Sequence, residues 1–314
     1  MRRFAMAFIA ILIPLHAVAS CGSASCPIDL SALNTGRFTI DLSWQSIDQN
    51  QPRIGTRAAR VGEIASDHDE IRTINRIAAL QLGYRASDRF ELSVTMPYVS
   101  RSHTHFDNES QQIERWDFGA LGDLVAQARA GVTDHVWLIG GVKLPTGARS
   151  ETSDNGEIAE VTIEPGTGST DVIGGVSFRS SVLRDTALSG PMGHATLIPL
   201  FASITYRVNG RGTNDYRRGD ELQINAGTEY PITQRLSVLG QINARRTAKD
   251  DVGNTDEDRN LTGGTYAYVS PGLRLRVAPG LSVYGIVQLP AYQRVNGIQL
   301  TARRNYVGGV RWQR

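Results

Sequence analysis

Side chains that are apolar at every second position recur along this chain, and that period confines it to β architectures. Phe38, Ile40, Leu42 and Trp44 are apolar, with Thr39, Asp41, Ser43 and Gln45 between them. Phe90, Leu92, Val94, Met96 and Tyr98 repeat the pattern against Arg89, Glu91, Ser93 and Thr95. Leu222, Ile224 and Ala226 alternate with Glu221, Gln223 and Asn225, and Leu273, Leu275 and Val277 with Arg274 and Arg276. Successive side chains of a strand point to opposite faces, so each segment has one apolar and one polar face. Weaker copies complete a series of strands near 36–46, 70–84, 89–100, 117–131, 135–145, 169–181, 194–208, 219–230, 235–247, 262–277, 281–291 and 299–313.

A soluble sandwich shares that period, with its apolar faces turned inward. Other features select a membrane barrel. Most segments are longer than the ~5–6 residues of a globular strand and near the ~9–11 that cross a bilayer. Aromatic residues gather at segment ends, at Tyr84, Tyr98, Trp137, Tyr206, Tyr230, Tyr292 and Trp312, as interfacial girdles do. Short connections such as Arg85–Asp88, Thr133-Asp134, Pro231–Gln234 and Ala278–Gly280 alternate with long polar ones at 47–69, 101–116, 146–168, 209–218, 248–261 and 292–298. Outer-membrane barrels show this alternation, with short periplasmic turns and long outer loops. The expected fold is therefore an all-β, up-and-down antiparallel transmembrane barrel of about twelve strands over residues 36–314, in the outer membrane of a Gram-negative cell.

The N-terminus agrees with that compartment. Arg2 and Arg3 precede an apolar run from Phe4 to Ala19 that closes on Ala17-Val18-Ala19, the layout of a secretory signal peptide over residues 1–19. A short periplasmic segment, 20–35, then leads into the barrel. Val18-Ala19-Ser20-Cys21 also fits cleavage before a lipidated cysteine. Alternatively Cys21 and Cys26, the only two cysteines, close a small disulfide loop in an oxidising compartment. A net charge of +2 gives no argument for nucleic acid as a partner. The expected partners are outer-membrane lipid, the barrel-assembly machinery and a small-molecule solute of unknown identity.

Several motifs stand out within the strands. Gly141-Val142-Lys143-Leu144-Pro145-Thr146-Gly147 closes one strand, and Glu164-Pro165-Gly166-Thr167-Gly168-Ser169-Thr170-Asp171 opens the next. Gly122-Asp123-Leu124 precedes this pair, and Tyr292-Gln293-Arg294-Val295-Asn296-Gly297 with Gln299-Leu300-Thr301 lies near the end. Together, over roughly residues 36–314, these resemble the putative MetA-pathway of phenol degradation family of outer-membrane proteins. The resemblance implies a transporter-like barrel for small molecules. Physical chemistry gives the same residues a structural role. Proline ends a strand because it cannot donate to the ladder, and the glycines permit positive φ as the chain re-enters the sheet.

Enzyme signatures are missing: the sequence has no Gly-x-Ser-x-Gly elbow and no His-Glu-x-x-His. The chain is therefore expected not to be an enzyme and to need no cofactor. An outer-membrane hydrolase would require a serine beside a base such as His135 or His194. The remaining histidines form a different pattern. His68 closes the first long loop, within Asp67-His68-Asp69-Glu70, and His103 and His105 lie two apart in the second. Imidazole and carboxylate together suit zinc, copper or nickel, so these three histidines are candidate metal ligands on the outer loops.

The leading expectation is a porin-like channel for small solutes. The alternative is a non-conducting binding or structural barrel whose outer loops hold a transition metal. The polar faces place Arg89, Glu91, Asp123, Arg129, Lys143, Asp171, Glu221, Glu229, Arg274 and Arg276 along the lumen. With Asp41, Arg179, Arg235, Arg245 and Arg311 added, nine bases face six acids, which predicts a weak preference for anions. Loop 47–69 is the candidate plug by its length. Phe38, Leu42, Leu92, Val94, Leu222, Ile224, Leu236, Val238 and Leu275 are expected to face lipid.

Overall fold

The computed structural model describes residues 36–64, 68–153, 156, 158–184 and 196–314. The expected signal peptide, Cys21, Cys26 and His194 lie outside the described residues.

Antiparallel strands follow one another in chain order: β1 (Phe38–Gly55), β2 (Arg57–Ala58), β3 (His68–Ser87), β4 (Phe90–Asp107), β5 (Gln112–Leu121), β6 (Leu124–Gly131) and β7 (Val136–Leu144). Then come β8 (Asp171–Arg184), β9 (Thr196–Val208), β10 (Glu221–Pro231), β11 (Leu236–Thr247), β12 (Gly264–Ala278) and β13 (Leu281–Gln313). From β1 through β3, β4, β6 and on to β13 each pairs with the next, and β13 returns to β1, with Thr39 opposite Gln313 and Ile40 opposite Trp312. The ring is therefore closed.

Two strands lie outside the continuous ring. β2 is a flap on the end of β1, and β5 pairs with the upper part of β4 while β6 pairs with its lower part. β5 and β6 are thus one pass, broken at Gly122-Asp123. β13 in turn makes two passes. Its first part pairs with β12 up to Val295, and its second runs back along β1 from Ile298. The chain reverses at Asn296-Gly297, where Gly297 has φ 56°. Counted by passes across the wall, the barrel has the twelve strands that the sequence period predicts.

The alternation sets the faces as expected. Phe38, Leu42, Leu92, Val94, Ile224, Val238 and Leu275 all point outward and are exposed. Asp41, Glu91, Glu221, Asn225 and Glu229 point inward and are buried. On β4 the apolar outward positions run from Phe90 to Tyr98. At ~3.4 Å per residue and a tilt of ~40°, that stretch spans about 21 Å, most of the ~25 Å band of an outer-membrane barrel. Tyr98, Tyr206, Tyr230, Tyr292 and Trp312 stand exposed, as girdle residues should. Trp137 does not: it points inward, where Arg179 packs over its ring at 4.8 Å. It falls in the same phase as Lys143, on the lumen face of β7.

The wall is taller than the alternation suggested. β1, β3, β4 and β5 run on past the apolar belt, so loops expected at 47–69 and 101–116 are largely strand. Polar residues on both faces of these extensions hide the period: the outer face meets water, and the inner face buries polar side chains such as Gln49, Thr73, Asn75 and His103. The last expected loop, 292–298, shrinks to the tight reversal at Asn296-Gly297.

Candidate functional site

The lumen is lined by carboxylates that each hold a base on another strand. Asp41 accepts from Arg311 Nε at 2.7 Å and from Tyr284 OH at 2.9 Å. Glu91 takes both terminal nitrogens of Arg179, at 2.9 and 3.0 Å, and Arg85 lies 3.3 Å away. Glu221 accepts from Arg207 at 2.6 Å and faces Arg245 at 3.7 Å. Glu229 pairs with Arg274. Two expected lumen residues are placed elsewhere. Arg89 and Arg276 stand exposed at the short-turn rim, where the wall ends and a side chain reaches solvent; Arg89 bonds Asp134 of the adjacent turn.

The conspicuous sequence motifs meet at one point. Lys143 Nζ donates to Asp123 Oδ2 at 2.8 Å and lies 3.1 Å from Asp171 Oδ2. Lys143 also bonds the hydroxyls of Thr167 and Ser169. Asp123 accepts in addition from the backbone N–H groups of Gly147 and Thr167, at 3.0 and 2.9 Å. Asp171 accepts from Ser169 Oγ and from Gly210 N. All three charges are buried. Gly147 and Gly166 pass so closely here that a Cβ on Gly147 would stand 2.7 Å from the Gly166 Cα. This knot fixes both ends of the connection between β7 and β8.

That connection, 145–170, turns inward over the lumen. Ile163 is fully buried and packs with Ala159 against Trp116 of β5 and Leu300 of β13. Arg101 of β4 donates to the Ile163 carbonyl. Arg218, on the connection between β9 and β10, donates to the carbonyls of Val161 and Thr162 at 3.2 Å. The loop thereby touches the wall from several sides. It, and not the expected loop 47–69, is the inward element. The latter is spent on the upper end of β1 and its flap, with Arg53 opposite Ala58. Residues Val161-Thr162-Ile163 carried the missed signal, a short apolar alternation inside a polar connection.

Beneath the loop, polar cavities follow one another along the lumen. The lowest, of about 40 Å³, lies by the short-turn rim between Arg85, Glu91 and Arg129. A larger one of about 410 Å³ shares Gln81, Gln127 and Arg129 with it and reaches Arg207 and Glu221. A third, of about 270 Å³, shares Arg207 and Glu221 with the second and extends to Lys143, Thr162 and Arg218 under the loop.

At the outer end the three expected histidines converge. They sit on strands and not on loops: His68 on β3 faces Asp107, and His103 and His105 point the same way along β4. All three are buried. The rings of His68 and His105 stack at 4.3 Å, and His103 meets His105 edge-on at 5.4 Å. Carboxylates surround them. Glu160 of the inward loop lies 3.4 Å from His68 Nε2 and 3.8 Å from His105 Nδ1. Glu70 lies 3.7 Å from His68 and 3.6 Å from His103, and Glu114 bonds His105 Nε2 at 2.9 Å. Burial pushes the imidazoles of His103 and His105 down to about 4, so both are neutral at pH 7. It pushes the Glu257 carboxyl well up, and Glu160 and Glu70 add to the effect. Glu160 and Glu257 carried no sequence signal, since each is one acid in a long polar connection.

A closed antiparallel barrel with an apolar belt, a paired-charge interior and short turns at one end is an outer-membrane β-barrel, and this chain is one. No family model and no curated protein matches it by sequence. Among solved structures, an outer membrane channel from Pseudomonas putida F1 superposes with a TM-score of 0.62 at 10% identity, covering 91% of this chain and 99% of that one. The transport unit of the autotransporter AIDA-I from Escherichia coli gives 0.50 at 13% identity, covering 92% of this chain and 93% of that one. At these identities the likeness establishes the fold.

Proposed function

We propose that this protein is a channel for small solutes, of the type that the resemblance to the MetA-pathway family implies. One observation carries the reading: polar cavities in series, sharing lining residues, lead from the short-turn rim to the space beneath loop 145–170. A barrel built only as a scaffold has no need of such a route, because small barrels fill their interiors with side chains. The structural neighbour in Pseudomonas putida F1, itself described as a channel, supports the reading. An export signal over 1–19 and insertion by the barrel-assembly machinery complete the proposal.

Arg207 and Glu221 line both of the larger cavities, and Arg245 faces Glu221 at 3.7 Å. Selectivity follows from their balance. The lumen acids are paired, and Glu70, Glu114 and Glu160 add carboxylates at the outer end that the count from the sequence omits. The path is therefore close to neutral, in place of the anion preference expected from the sequence. Purified barrel in a planar bilayer is expected to pass stepwise current with a reversal potential near zero across a KCl gradient. Glu221→Gln leaves Arg207 and Arg245 uncompensated and should move that potential toward anion selectivity. Absence of current from wild-type protein, with the barrel shown folded by heat-modified gel mobility, would sink the channel reading.

A further inference from the structure

We propose that His68, His105 and Glu160 bind one divalent transition-metal ion at the outer end of the barrel, and that the ion latches the inward loop to the wall. The argument begins with spacing. Glu160 Oε1 stands 3.4 Å from His68 Nε2 and 3.8 Å from His105 Nδ1. Both separations are longer than the ~2.7–3.2 Å of a hydrogen bond. Ligands that share a tetrahedral ion, each ~2.0–2.1 Å from it, stand roughly 3.3–3.4 Å apart. One ligand atom from each of the three residues falls within 4.8 Å of the others. The neighbouring contact of His105 Nε2 with Glu114, at 2.9 Å, is by contrast an ordinary hydrogen bond. It turns the ring so that Nδ1 faces Glu160, as outer carboxylates orient the histidines of metal sites.

A second observation is independent of that spacing. Nδ1 of His105, Nε2 of His103 and both oxygens of Glu70 are buried with no hydrogen-bond partner among the described residues. Buried polar groups are normally satisfied, and a buried carboxylate needs a counter-charge. Glu70 Oε1 lies 3.7 Å from His68 Nε2, beside the cluster of three. His103 belongs to the outer shell. Its Nδ1 meets Thr73 Oγ1 at 2.9 Å and flanks Glu70. Neutral imidazole with carboxylate suits zinc, copper or nickel, whereas magnesium and calcium take oxygen ligands.

The ligands come from separate parts of the chain. His68 and His105 are on the wall, and Glu160 is on the loop held at its far ends by Lys143. A bound ion therefore ties the middle of the loop to β3 and β4. The proposal does not rest on the chain conducting.

The test uses the untagged, folded barrel in detergent, stripped with EDTA and titrated with zinc chloride by calorimetry. One ion per chain is expected, with affinity at least tenfold weaker in Glu160→Gln and in His105→Ala. Cobalt in place of zinc should give the intense visible absorption of a four-coordinate site. Zinc should also slow trypsin cleavage after Arg149 in the wild type and not in Glu160→Gln. Because Glu160 lies outside the strands, its substitution leaves the barrel intact, and heat-modified mobility checks this. A folded wild type that takes up no zinc overturns the site, as does equal affinity in the wild type and the His68→Ala, His103→Ala, His105→Ala triple variant. Binding without any change in cleavage overturns the latch.

Discussion

Replacing Lys143 with methionine is expected to cost about 3–5 kcal/mol, the usual consequence of removing one partner from a buried ion pair. Methionine keeps most of the side-chain volume, so the change isolates the charge. Asp123 and Asp171, both buried, would then face each other with no cation between them. Asp123 also holds the backbone of Gly147 and Thr167. Its repulsion from Asp171 should therefore free both ends of loop 145–170, not only soften the wall. Urea unfolding in lipid vesicles, followed by tryptophan fluorescence, reads the first effect. Trypsin cleavage after Arg149 reads the second. Adding Asp123→Asn to Lys143→Met should recover part of the loss, because it removes one of the stranded charges. If Lys143→Met lies within about 1 kcal/mol of the wild type, the knot does not organise this end of the barrel.

The second large effect belongs to the lipid face. Arginine at Val94 or Ile224, both outward and exposed, should cost about 2–4 kcal/mol, as arginine does near the midplane of a bilayer. Arginine at Ser93 should be tolerated better, since Ser93 lines the cavity at the short-turn rim, where the added charge stays out of the lipid. Heat-modified mobility of the three single variants after refolding separates them. If Ser93→Arg were the most damaging, the faces assigned to β4 and β10 would be inverted.

These two predictions draw on different depths of legibility. The strand faces were readable from Phe38, Leu92 and Ile224 because lipid and lumen impose opposite demands on neighbouring residues. The upper ends of β1, β3 and β4 were not, because above the membrane the outer face is wet, the inner face buries polar groups, and the period fades. The motif at Lys143 was visible as residues, yet its partners Asp123, Thr167 and Asp171 lie on separate strands and turns. Sequence separation hides such a knot until the register is known. The histidines were legible as a set, and their partner Glu160 was not, since nothing in a polar loop announces that it folds inward.

The account turns on loop 145–170 narrowing a continuous polar path. Single-channel conductance of the wild type should be compared with that of a variant whose residues 150–162 are replaced by a short Gly-Ser linker that leaves the Lys143 knot intact. Small current steps are predicted for the wild type and clearly larger ones for the variant, at the same salt. Two folded barrels that both pass no current, or that pass identical currents, would contradict it.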